Sequence, residues 1–172
     1  MFYLGLDPST KATGYSIFED KKLIEYGCIT AGSANVWHRI DKMIKEIEQI
    51  IQKYPFSYIY LEDVYPEDVK SNLTVWKILT YLQGFILHSL DKYNLKYTFF
   101  TASEWRTKCG IQTGRGIKRE SLKPKDIEFV KNQFNIKVND DIADAICIGF
   151  AGIGGNLSNS QINKTDDGFE FA

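Results

Sequence analysis

Cysteine is scarce in this chain of 172 residues: Cys28, Cys109 and Cys147 stand far apart, with no CxxC spacing among them. That excludes a disulfide framework and a thiolate zinc site, and their apolar or strand-like surroundings predict buried, reduced thiols. Histidine is scarcer still. His38 and His88 both fall inside helical patterns and read as structural or exposed rather than catalytic. A dominant charge of either sign is absent: 21 Lys and Arg stand against 22 Asp and Glu, a net charge of −1. The molecule is not a polycation, although a local basic surface suffices for nucleic acid. Long apolar runs are missing too, because charge or glycine interrupts them short of a membrane-spanning length. The Met1-Phe2-Tyr3 start has no basic segment, so no signal peptide is expected. A soluble, cytoplasmic protein with no membrane partner is the expectation.

What is present is enough for one domain of ordinary size. Hydrophobic residues make up 44% and aromatics 14%, which supports a sizeable core over residues 1–154. Residues 155–172 turn to Asn, Ser, Gln, Lys and Asp and read as a flexible polar tail. The abundance of Lys, Asn and Ile points toward an AT-rich genome, that of a phage or prophage included.

An apolar run, Tyr3-Leu4-Gly5-Leu6, climbs to Asp7 and a Pro8-Ser9 turn. Strands are predicted at 2–7, 13–19 and 22–30, joined by short turns as an antiparallel meander. Gly32 to Asn35 can cap a helix over 36–54, with apolar residues three and four apart and Pro55 at its end. Tyr58 to Glu62 reads as a fourth strand. Arriving from a helix, it is expected to lie parallel to the first. It also ends in an acid, so Asp7 and Glu62 should share the crevice where open α/β sheets hold ligands. A helix over 72–93 has a wide apolar stripe, broad enough to face another subunit, and Gly84 within it suits close packing. A fifth strand is predicted at 95–100, and Thr101 to Glu104 has capping-box spacing ahead of Trp105-Arg106. Trp37 and Trp76, at helical spacing with other apolar residues, are expected in the core.

Residues 104–137 hold nine Lys or Arg against four acids, a local excess of five positive charges. Glycines 110, 114 and 116 loosen this stretch, and Arg115, Lys118, Arg119, Lys123 and Lys125 charge it. Pro124 suits the first turn of a helix continuing to Phe134. Asn139 to Asp141 caps a last helix that ends at Gly152.

Asp141 and Asp144, three apart, share one helix face. Complementing the helix dipole explains acids at an N-terminus. It does not explain Asp144 inside Ile142-Ala143-Asp144-Ala145-Ile146. Asp7, Glu62, Asp141 and Asp144 with no matching Cys or His set are hard oxygen ligands, suited to Mg²⁺ with Mn²⁺ as substitute. Two such ions hydrolyse phosphodiesters, and the basic segment would hold the phosphate backbone.

At these residues the chain resembles the RuvC-type Holliday-junction resolvases of the RNase H-like superfamily, over about residues 1–152. The anchors are Gly5-Leu6-Asp7-Pro8-Ser9 with Thr13-Gly14-Tyr15, then Leu61-Glu62-Asp63-Val64-Tyr65, then Asp141-Ile142-Ala143-Asp144-Ala145. The resemblance implies an α/β fold, a five-stranded mixed sheet with helices on both faces. It implies a homodimer that makes paired nicks in four-way DNA junctions, leaving 5′-phosphate and 3′-hydroxyl ends. Asp7, Glu62, Asp141 and Asp144 would hold two metal ions per site, with Asp7 bridging. Lys123 would sit near the scissile phosphate, with Lys118 and Lys125 as competitors. Tyr65 would stack on bases at the junction, while Arg115, Lys118, Arg119 and Lys125 bind DNA. The segment from Gly110 to Lys123 is longer than the family's, and the polar tail is not a family feature.

Plainer readings stand beside these. Asp7 could cap the Pro8-Ser9 turn. Glu62 could face solvent with Asp63 as the functional acid, and Asp140 could replace Asp141. Tyr65 could be ordinary packing and Lys123 a solvated lysine. Two rival functions are a related nuclease acting on RNA or other branched DNA and a non-catalytic module that binds branched nucleic acid. An actin-like ATPase is not expected, because the chain is short for two such lobes and lacks a second phosphate loop.

Overall fold

The structure, a computed structural model, describes residues 1–65, 73–114 and 119–154. The expected tail, the segment 66–72, and Arg115 and Lys118 lie outside the described residues.

The elements follow in the order β1 (Phe2–Asp7), β2 (Ala12–Glu19), β3 (Lys22–Thr30), α1 (Val36–Lys53), β4 (Phe56–Glu62), α2 (Leu73–Lys92), β5 (Tyr97–Phe100), α3 (Ala102–Lys108), α4 (Arg119–Phe134) and α5 (Asp140–Gly152). The strands form one mixed sheet in the order β3-β2-β1-β4-β5. The first three are antiparallel neighbours, while β4 pairs parallel to both β1 and β5. This is the predicted α/β architecture, with helices on both faces.

Strand periodicity assigns the faces. Leu4 and Leu6 of β1, with Ile59 and Leu61 of β4, enter a core shared with Ile40, Met43 and Ile47 of α1 and Leu82 and Ile86 of α2. Successive side chains alternate, so Tyr3, Gly5 and Asp7 point the other way, as do Tyr60 and Glu62. That second face forms a second core that includes Phe18 of β2, Trp105 of α3, Val130 of α4 and Ile146 of α5. Asp7 and Glu62 therefore end adjacent strands on the same side, each one residue past the Leu6–Leu61 pair. Neighbouring strands run about 5 Å apart, which brings the two acids within reach of a shared ion.

Helix α5 lies directly on β1 and β2. A Cβ on Gly14 would stand 2.0 Å from the carbonyl oxygen of Asp141, and one on Gly5 would stand 2.5 Å from that of Ala145. Only the missing side chains permit this approach. Ser16 Oγ then donates to the Ala145 carbonyl at 2.7 Å. Asn139 caps the helix by accepting from Ile142 N at 3.0 Å. These contacts fix Asp141 and Asp144 above the acid-bearing strand ends.

Three expectations are corrected. Trp37 is 53% exposed rather than in the core, and it stacks on Tyr81 with ring centroids 5.5 Å apart. The buried stripe of α1 runs through Ile40, Met43, Ile47 and Ile51, and a residue next to Val36 points about 100° away from it. Trp76 is half-buried. Gly84 has no neighbour within 4 Å of its Cβ position, so it serves no close helix packing among the described residues. Helix α4 starts at Arg119, so Pro124 sits inside it rather than in its first turn. A proline one turn from a helix start loses one backbone hydrogen bond, which tertiary packing offsets.

Cys109 and Cys147 are buried free thiols as expected, while Cys28 is half-buried. His38 and His88 are exposed. No described helix is long and apolar enough to cross a membrane.

Candidate active site

Asp7, Glu62, Asp141 and Asp144 line a single groove of about 490 Å³ at the C-terminal ends of β1 and β4. Lys123 of α4 and Tyr65 border the same groove. Tyr65 is 45% exposed, which leaves its ring accessible. Lys11 and Arg39 also line it, two cations that sequence reasoning did not single out. Among the described residues, the lining contains no histidine or cysteine.

The four acids differ in environment. Asp144 is 7% exposed, and its Oδ1 is buried without a hydrogen-bond partner among the described residues. Burial, then the charges of Asp126 and Glu62, push its carboxyl up to about 8 against the opposing pull of Arg106. Asp141 is also raised, by burial and then by the charge of Asp140. Asp140 behaves differently. Lys123 Nζ donates to its Oδ2, and that bond lowers the Asp140 carboxyl while raising the Lys123 ammonium. Asp140 is thus occupied with Lys123 and absent from the groove lining, which favours Asp141 as the groove-facing acid. Asp63, the other alternative, accepts from Val64 N at 2.8 Å and Gln83 Nε2 at 3.0 Å. Its oxygen Oδ1 braces the start of the loop after β4.

Lys125 is two residues from Lys123, a spacing that points to the opposite side of a helix, and it does not line the groove. Arg119 opens α4. Cys28, the register partner of Gly14, lies close enough for burial and the charges of Asp141 and Asp7 to raise its thiol.

Behind the acids is an arrangement that sequence reasoning missed. Trp105 Nε1–H donates to Glu62 Oε2 at 2.9 Å. Arg106 pairs with Asp126 through Nε and Nη2, and its Nη2 lies 3.9 Å from Asp144 Oδ2. The Trp-Arg pair after a capping box was visible in sequence, but its partners were not.

The donor set fits a divalent cation. It consists of carboxylate oxygens, one of them buried and unpartnered, on a site where like charges raise one another. Among the described residues the acids share a groove without forming a ready-made metal cage.

The family profile of the crossover junction endodeoxyribonuclease RuvC matches residues 3–151. The chain belongs to the RuvC family. Among its relatives, the crossover junction endodeoxyribonuclease RuvC of Fusobacterium nucleatum is 27% identical over 172 residues, covering 97% of this chain and 87% of the relative. That of Finegoldia magna is 29% identical over 165 residues, covering 91% and 94%. Among solved structures, T. thermophilus RuvC in complex with Holliday junction substrate superposes with a TM-score of 0.71 at 10% identity, covering 88% of this chain and 92% of that one. The yeast mitochondrial Holliday junction resolvase Ydc2 gives 0.52 at 15% identity, covering 88% and 77%. At such identities the structural likeness speaks for the fold, and it is the RNase H-like fold expected from the sequence.

Proposed function

We propose that this RuvC-family endonuclease resolves four-way DNA junctions by paired, symmetric hydrolysis of phosphodiesters, leaving 5′-phosphate and 3′-hydroxyl ends. The observation that carries the reading is the convergence of Asp7, Glu62, Asp141 and Asp144, from two strands and a helix, on one groove bordered by Lys123. These acids would hold two Mg²⁺ ions, with Mn²⁺ as substitute. When bound, such ions supply an activated water and stabilise the leaving oxygen.

The chain's own residues do the rest. Lys123, paired with Asp140 in the free protein, contacts the scissile phosphate. Tyr65, exposed at the groove rim, stacks on bases at the junction centre. Arg115, Lys118, Arg119 and Lys125 hold the sugar-phosphate backbone by charge, a contribution that falls with salt. A homodimer would supply two such sites. Its support is the apolar outer surface of α1 and α2, where Trp37, Val75, Tyr81 and Phe85 are each at least 38% exposed. A chain that works on DNA with no described membrane-spanning helix is assigned to the cytoplasm.

The test is a cleavage panel: a synthetic four-way DNA junction, a fork, linear duplex and structured RNA, each with Mg²⁺ and with chelator. Mg²⁺-dependent, symmetric cutting of the four-way junction in preference to the others is expected. Equal cutting of duplex, or preference for RNA, overturns the assignment in favour of a different RNase H-like nuclease. Binding without cutting points to a binding module.

A further inference from the structure

Two consecutive residues of α3 reach two different acids of the site. Trp105 is completely buried, and its one polar side-chain atom spends its hydrogen on Glu62. Arg106 is 4% exposed and Asp126 fully buried. The guanidinium grips both oxygens of Asp126, with Nε at 3.1 and 3.0 Å and Nη2 at 2.8 Å. It also lies over the Trp105 ring, 4.0 Å from the ring centroid. Its Nη2 faces Asp144 Oδ2 at 3.9 Å.

This is a costly way to fill a core. Desolvating an ion pair roughly cancels its attraction, and apolar residues of similar volume stabilise as well or better. A stability role alone therefore gives no reason for the arrangement. Geometry supplies one. The side chains form a continuous unit, Glu62–Trp105–Arg106–Asp126, buried except at the half-buried Glu62, and Asp144 abuts its cationic end.

We propose that Trp105, Arg106 and Asp126 are positioning residues that set the carboxylates of Glu62 and Asp144 for divalent-cation binding. This rests on the reading of those two acids as ligands. An indole N–H is a neutral donor, so it fixes the rotamer of Glu62 without neutralising the charge a cation needs. The Asp126 carboxylate holds the Arg106 fork in place and limits its approach to Asp144. Released from Asp126, the guanidinium would pair fully with Asp144 and compete with the metal. Groups that hydrogen-bond ligating carboxylates typically change metal affinity 10- to 100-fold when removed, on the order expected here.

The experiment measures Mn²⁺ affinity of the full-length protein by calorimetry, alongside four-way junction binding in chelator. Trp105→Phe keeps an aromatic ring and deletes the N–H. It is expected to weaken Mn²⁺ binding about 10-fold or more, shift the Mg²⁺ requirement for cleavage upward, and leave junction binding in chelator unchanged. Asp126→Asn, nearly isosteric, is the second variant and should weaken Mn²⁺ binding in the same direction even if Trp105→Phe does not fold. Unchanged Mn²⁺ affinity in either folded variant, with only a lower melting temperature, reduces the unit to core packing and overturns the proposal. Glu62→Gln separates the two levels. If it too leaves Mn²⁺ affinity unchanged, the ligand assignment itself has failed, whereas its loss of affinity beside normal binding by Trp105→Phe and Asp126→Asn sinks only the positioning role.

Discussion

Gly14 lies directly beneath the backbone carbonyl of Asp141, with no room between them for a methyl group. Gly14 is also the register partner of Asp7. One glycine thus couples the acid that ends β1 to the first groove-facing acid of α5. Gly14→Ala is expected to lift α5 off the sheet, cost about 2–3 kcal/mol as overpacking, and abolish cleavage. Urea denaturation and a junction-cutting assay check both effects. Wild-type stability with normal cutting would mean that α5 does not sit as close as described.

Asp7→Asn removes the charge of a proposed metal ligand and changes little in shape. Junction cutting should fall on the order of a thousand-fold, equivalent to about 4 kcal/mol of barrier, while gel-shift affinity for the junction in chelator stays near wild type. Substantial residual cutting would remove Asp7 from the metal site.

The Asp144 carboxyl, held up to about 8 mainly by burial, makes the metal-free protein pH-sensitive. Its folded-state value lies above the ordinary carboxylate value near 4, so the protonated form is the one the fold prefers. The stability this contributes is full below pH ~4 and is lost as pH rises through about 8. In chelator, wild-type melting temperature should fall over that window. Asp144→Asn should flatten the fall and be more stable than wild type at pH 8. Parallel pH profiles for the two proteins would show that Asp144 is solvated in the free protein.

Phe85, 47% exposed on α2, tests the proposed homodimer. Phe85→Glu should convert a dimer to a monomer in sedimentation velocity, leave monomer stability within about 0.5 kcal/mol, and uncouple the paired nicks. A variant that sediments as wild type moves the interface elsewhere.

Much of the site was readable because burial leaves a strong mark on sequence. Leu4 and Leu6 running into Asp7, and Ile59 and Leu61 running into Glu62, are buried strands that end in an acid. Asp144 was conspicuous among Ile142, Ala143, Ala145 and Ile146. Contacts across the chain left no such mark. The partner of the Trp105 indole is 43 residues away and that of Arg106 is 20 residues away, so the short α3 pattern could show a buried tryptophan but not what it holds. The start of α4 was hidden because glycine and charge before Pro124 carry no helical apolar period. Trp37 was misplaced because its spacing fits a helix face without specifying which face meets the core.

The most direct test of the account is anomalous diffraction from crystals of the wild-type protein soaked in Mn²⁺. The account predicts manganese peaks in the groove, within coordination distance of Asp7, Glu62, Asp141 and Asp144, and their loss in Asp7→Asn. Manganese bound elsewhere on the surface, with this groove empty at saturating concentration, would contradict it.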